Sequence, residues 1–208
     1  MRALSLLVAV AIVAASCKPG ERPTPPPAHA AASQVADSGA AVMIGAGDIG
    51  VCGSLSDEMT SQVVDSVLAA DSAAGVQKAV FTLGDNAYPA GLDRDFVRCF
   101  GSSWGDPKKR IMKAIRPAIG NHDFQSQRGA AYYRYFGTRA GPAFKGYYSY
   151  DIGNWHAVVL NSEIVYWGSL SEQKSQEEWL KKDLSANQKL CTVAYFHRPL
   201  YSSGAHGS

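Results

Sequence analysis

The sequence predicts an α/β layered domain. Three observations carry that prediction. Short apolar runs alternate with segments of helical period, 46% of residues are hydrophobic against 18% charged, and no internal repeat divides the body of the chain. Such a mix can bury a core and is not that of a disordered chain. A formal charge of +2 over 208 residues supplies no general field for nucleic acid or acidic lipid, so no nucleic-acid partner is expected. The four cysteines are too few for a disulfide-built scaffold.

Residues 1–17 read as an export signal. Arg2 precedes an apolar run of thirteen residues, 3–15, which suits a signal core; crossing a bilayer takes about 20. Ala14, Ala15 and Ser16 then lead into Cys17. This resembles a bacterial lipobox, with Ala14 where Leu is usual, and implies a lipid on Cys17 that anchors the chain to a membrane. An ordinary secretory signal is the alternative, and either one exports the protein to the cell envelope, the periplasm or the medium. Residues 18–40 read as a tether: five of the ten prolines fall there, at 19, 23, 25, 26 and 27. Residues 41–208 are long enough for one domain with a sizeable core.

Within that domain the elements come in order. Residues 41–46 read as a buried strand. Residues 57–70 read as a helix that Ser56 can cap, with Asp57 and Glu58 in its first turn and Met59, Val63, Val67 and Leu68 as its inward stripe. Residues 79–83 form a second strand and 92–100 a short helix. Residues 116–119 form a third strand. Residues 147–152 and 155–161 pair as strands joined at Gly153-Asn154. Residues 172–184 make a helix with Trp179, Leu180 and Leu184 inward, and 190–196 a last strand.

The loops after four of these strands are more informative than the strands themselves. The first strand ends in Gly47-Asp48-Ile49-Gly50, the second in Gly84-Asp85-Asn86-Ala87-Tyr88, the third in Gly120-Asn121-His122-Asp123, and the last in His197-Arg198-Pro199. Sites of α/β sheets form at the carboxyl ends of strands. Asp48, Asp85, Asn121 and His197 can therefore converge, and such an oxygen and nitrogen set suits Fe, Mn or Zn. Taken singly, each has a bland reading: Asp and Asn as turn residues, His197 as a core histidine, Tyr88 as packing, and His122-Asp123 as a surface pair.

The ordered blocks around Asp48, Asp85, Asn121, His122 and His197 resemble those of the calcineurin-like metallophosphoesterases. Gly-Asp-x-Gly with a later Gly-Asp-x-x-Tyr resembles the purple acid phosphatase branch. The resemblance spans residue 47 to the C-terminus. It implies a four-layer α/β/β/α sandwich and two metal ions, iron paired with iron, zinc or manganese. It further implies that Asp85 bridges the metals, that Asp48 and Tyr88 bind the first, and that Asn121 and His197 bind the second. His122 would face the phosphate and protonate the leaving oxygen, Asp123 would orient the His122 ring, and His206 would contact phosphate. The implied reaction is attack on a small phosphate ester by metal-held hydroxide. Two cations about 3.5–4 Å apart make such attack feasible because they neutralise the anionic ester.

The family's last block, Gly-His-x-His, has no counterpart here, and the chain stops at Gly204-Ala205-His206-Gly207-Ser208. The expectation is a sandwich incomplete at its C-terminus, with weak or no activity in this form. Three functions are compatible with the resemblance: a phosphomonoesterase, a phosphodiesterase or nucleotide hydrolase on the same site, and an inactive surface lipoprotein that keeps the scaffold. Four other expectations are smaller. Cys52 and Cys99 pair and brace the metal loops, Cys191 stays unpaired, and His156 is structural. Arg198 either contacts phosphate or forms a surface ion pair.

Overall fold

The computed structural model describes residues 14–17, 39–70 and 76–201. His206, and the leader and tether apart from 14–17 and 39–40, lie outside the described residues. The chain is mixed α/β with two sheets. Strands β1 (Ala14–Cys17), β2 (Ala41–Ala46), β3 (Gln77–Leu83), β4 (Ile115–Ala118), β5 (Tyr148–Ile152), β6 (Trp155–Val159) and β7 (Cys191–Tyr195) divide between them. One sheet has the order β2-β3-β4 and is parallel throughout. The other has the order β1-β7-β6-β5, with β6 and β7 parallel and both outer pairs antiparallel. Helices are α1 (Ser56–Ala69), α2 (Asp93–Asp95, continued by a wider turn Phe96–Phe100), α3 (Ile111–Ala114), α4 (Asn121–Gln125), α5 (Ala130–Phe136), α6 (Glu163–Trp167) and α7 (Leu170–Ala186).

Two apolar clusters hold these elements. Phe96, Phe100, Trp104, Ile111, Ile115, Tyr132 and Phe136 are fully buried with Val80 from β3, between the parallel sheet and its helices. Each such aromatic side chain contributes about 2–3 kcal/mol by leaving water. The second cluster joins the sheets: Ala118, Tyr148, Val159 and Tyr195 pack with Met43, Phe81 and Leu83. The Phe81 and Tyr195 rings lie 5.4 Å apart there. Tyr132 and Tyr148 both donate to the Pro117 carbonyl, so the two clusters meet at β4.

α7 lies against the second sheet through Tyr147 and Trp179, whose rings are 4.9 Å apart. It begins two residues earlier than the sequence predicts, because Ser169 and Glu172 form a reciprocal cap: Ser169 N donates to Glu172 Oε2 at 2.7 Å, and Glu172 N to Ser169 Oγ at 3.2 Å. Leu184, expected inward, is exposed. α1 also differs from expectation. Met59 and Val63 are 65% and 62% exposed, while Asp57, Ser61 and Val64 are buried. Polar contacts decide its rotation: Lys109 Nζ reaches Ser61 Oγ at 2.6 Å, and Trp104 Nε1 donates to Thr60 Oγ1 at 3.1 Å. Ser56 does not cap α1; it opens the helix, and its N–H donates to Ser54 Oγ.

Cys52 is bonded to Cys99, as expected. Cys191, expected unpaired, is bonded to Cys17, because antiparallel pairing of β1 with β7 sets these residues opposite each other. A lipid thioether on Cys17 uses the same sulfur, so the bridge and the anchor exclude one another. Among the described residues, no helix is long and apolar enough to cross a membrane.

His156 is structural, as expected. It is buried on β6, with Nδ1 2.8 Å from Asp151 Oδ1 and Nε2 2.7 Å from Asp183 Oδ2. Burial alone would lower its pKa, but the hydrogen bonds and charges of Asp151 and Asp183 outweigh burial and raise it. A pKa raised on folding adds stability that is complete below the ordinary imidazole value near 6.5 and is lost as pH climbs through the folded value. His156→Ala should therefore cost about 3 kcal/mol at pH 6 and distinctly less at pH 9. Urea denaturation of both proteins at the two pH values checks this.

Candidate metal centre

The parallel sheet explains why distant residues meet. β2, β3 and β4 run the same way, so the loops after them leave from one edge. Pairing continues past the strands: Asp48 N donates to Gly84 O, Ile49 N to Asp85 O and Gly50 N to Asn86 O, at 3.1, 2.9 and 3.0 Å. β7 of the second sheet delivers His197 to the same edge, where its Nδ1 lies 2.7 Å from Leu83 O.

Asp48, Tyr88, Asp85, His197 and Asn121 form, in that order, one contiguous open ring of contacts. Tyr88 OH lies 2.7 Å from Asp48 Oδ1 and 2.9 Å from Asp85 Oδ2. On the other side of Asp85, Oδ1 lies 3.5 Å from His197 Nε2, which is 2.9 Å from Asn121 Oδ1. The two oxygens of Asp85 thus face two different donor sets. Asp85 is buried and Asp48 is exposed, so the ring opens to solvent on the Asp48 side.

Both acids adopt left-handed backbone, with φ of 55° at Asp48 and 51° at Asp85. Short polar side chains tolerate this region, and such residues gather at sites where geometry is imposed. The glycines before them have a steric role. Gly84 has φ of +82°, and a Cβ there would sit 2.7 Å from the His197 ring. A Cβ on Gly120 would collide with the backbone N and Oδ1 of Asp85.

The ring is rich in acceptors. The Leu83 carbonyl only accepts, so His197 Nδ1 carries a hydrogen. In a neutral ring, Nε2 then offers a lone pair beside the oxygens of Asn121 and Asp85. Three acceptors in this orientation call for a proton on Nε2, a cation between them, or an Asn121 amide turned to present its N–H groups. The Tyr88 hydroxyl likewise has one hydrogen for two carboxylates. Burial, then the hydrogen bond and charge of Asp48 and the charge of Asp85, push its pKa far above the ordinary phenol value, so without a cation it stays protonated. The donor set therefore fits a pair of cations, with Asp85 shared. Counted over His, Cys, Asp and Glu alone, no group of three or more among the described residues is spaced to hold a metal ion; this ring completes its sets with a tyrosine and an amide.

His122 lies beside the ring, with its own N–H on Asp85 Oδ1 at 2.8 Å and its Nε2 3.9 Å from Asp85 Oδ2. Its imidazole packs 4.5 Å from the Tyr88 ring. Asp123, expected to orient that imidazole, does not: His122 Nδ1 donates to Pro89 O at 2.6 Å instead. Asp123 has no exposed surface and points away, where it accepts from Asn86 N, Asn86 Nδ2, Ala87 N and Gly120 N. It clamps the loop after β3 to the loop after β4. Burial first, and then the charge of Asp85, raise its pKa to about 6, against the pull of these N–H donors. The sequence carries one signal for this role: Asp three residues after Gly120 at a helix start, where a carboxylate can turn back onto the preceding N–H.

Two consequences are measurable. Gly120→Ala should destabilise the fold by about 1–3 kcal/mol and weaken metal uptake, read by thermal melting and by metal analysis after dialysis. Asp123→Asn keeps the shape but turns N–H donors against an amide, and should cost about 3 kcal/mol in chemical denaturation.

Compared with known proteins, the chain matches no protein-family model, and no curated protein matches it.

Proposed function

We propose that this ring holds two metal ions and that the protein hydrolyses phosphate esters outside the cytoplasm. The observation that carries the reading is Asp85, one buried carboxylate with Oδ2 on Tyr88, which in turn reaches Asp48, and Oδ1 towards His197, which in turn reaches Asn121. Asp48, Tyr88 and Asp85 would hold one cation, and Asp85, Asn121 and His197 the second. Iron paired with iron, zinc or manganese suits these donors, since a phenol binds well only to a strongly acidic ion.

A bound pair of cations supplies charge to the phosphoryl oxygens and makes water acidic near neutral pH. The chain's own residues do the rest. Asp85 offsets the repulsion between the cations. The Leu83 carbonyl fixes the His197 tautomer so that Nε2 faces the ring. The Pro89 carbonyl does the same for His122, leaving Nε2 as the atom that takes up a proton and gives it to the leaving oxygen. The proposed architecture is the four-layer α/β/β/α arrangement. Its support is that helices cover one face of β2-β3-β4, the second sheet covers the other, and α7 covers the far side of the second sheet. The two disulfides suit an exported protein.

The test is phosphate release from an aryl phosphate by the 208-residue chain with iron, zinc or manganese added. Metal binding with weak turnover is expected, because the Gly-His-x-His block is absent, and Asp85→Asn should remove both while the protein still melts cooperatively. Metal binding and turnover that survive in Asp85→Asn would refute the proposal.

A further inference from the structure

α6 stands beside the candidate metal centre. β6 and β7 are parallel, so the chain after each leaves from one edge: β6 continues into α6, and β7 into His197 and Arg198. Arg198 N donates to Ser162 Oγ at 3.1 Å, which joins the two segments.

Glu163, at the start of α6, has no exposed surface. Both of its carboxylate oxygens lie 3.0 Å from a single atom, Arg198 Nε. An arginine that serves only as counter-ion commonly grips a carboxylate through two nitrogens. Here one nitrogen serves both oxygens, and Nη1 and Nη2 have no hydrogen-bond partner among the described residues. The guanidinium carbon also lies over the Tyr166 ring, 4.6 Å from its centroid. Its side chain stays about one-third exposed. The result is a planar two-donor fork, fixed at its base and open at its tip, one residue from a candidate metal ligand. Planar forks of this kind match phosphate and carboxylate oxygens. The Tyr166 ring beside it is exposed, as are Trp167, next to it in α6, and Tyr201, three residues after Arg198.

We propose that Arg198 is a substrate-recognition residue, held by Glu163 and Tyr166 as positioning residues, that binds a second anionic group on the substrate, and that the substrate class is nucleotides with more than one phosphate. The inference rests on the phosphoesterase reading. A simple monoester has one anionic group, which the cations would occupy. A nucleoside diphosphate offers a further phosphate to the fork and a flat base to the exposed rings.

The test compares ADP with orthophosphate by titration calorimetry on the full chain with manganese present. Wild type should bind ADP about tenfold more tightly than orthophosphate, a difference of about 1.4 kcal/mol. Arg198→Lys keeps a cation beside Glu163 but lacks the fork, so it should lose that margin with little change in melting temperature. Glu163→Gln should lose it too, because the guanidinium is no longer anchored. A second measurement needs no variant: ADP should protect Arg198 of wild type from an arginine-specific dicarbonyl reagent, read by peptide mapping. A margin that survives in Arg198→Lys, or an Arg198 labelled equally with and without ADP, overturns the inference. ADP binding that depends on Arg198, with no phosphate released from any ester, sustains the inference and removes the hydrolase reading. Phosphate release without an Arg198-dependent margin does the reverse.

Discussion

The buried carboxylate of Asp123 is the contact on which the site depends. It lies in the core of the junction between the β3 and β4 loops and takes N–H donors from both. Asp85 sits immediately before one set of those donors, and Asn121 immediately after the other. The β3 loop is paired on its β2 side, but the ladder between β3 and β4 ends at Leu83 and Ala118, and beyond it the shared acceptor joins these two loops. An ionised group in the interior is costly unless its hydrogen-bonding capacity is filled, and here it is filled by the segments that must be held together. The candidate metal ligands can then sit in strained backbone without the loops relaxing away.

Much of this arrangement is legible in the sequence, and the parts that are not share a cause. The strands at 41–46, 79–83 and 190–196 stand out because apolar runs ending in glycine or a polar residue have few other interpretations. The convergence of Asp48, Asp85, Asn121 and His197 comes from the parallel order of strands, a topological property that composition and spacing can carry. The rotation of α1 is not legible. Its most apolar stripe, through Met59 and Val63, faces outward, while Ser61 and Val64 face the core. Partners at Trp104 and Lys109 choose that face, and they lie more than 40 positions away along the chain.

The role of Asp123 is hidden for a related reason. Its position next to His122 suggests a partner for the imidazole, yet adjacent residues at a helix start point in different directions. His122 turns to Pro89, and Asp123 turns into the protein. The bridge between Cys17 and Cys191 is equally hidden, because strand β1 lies in a stretch whose composition reads as a leader. Local sequence describes which chemistry is available; contacts between remote segments decide which of it is used.

The bond between Cys52 and Cys99 has an effect that extends to the denatured chain. It closes a loop whose ends are separated by 47 positions, and Asp85 and Tyr88 lie within it, while Asp48 is only four residues before its start. A closure of that length removes about 4 kcal/mol worth of chain entropy from the unfolded ensemble. Asp48, Asp85 and Tyr88 therefore stay on or within four residues of this smaller covalent loop when the non-covalent structure has come apart. A refolding molecule starts its search with half of the cradle already confined to a small volume.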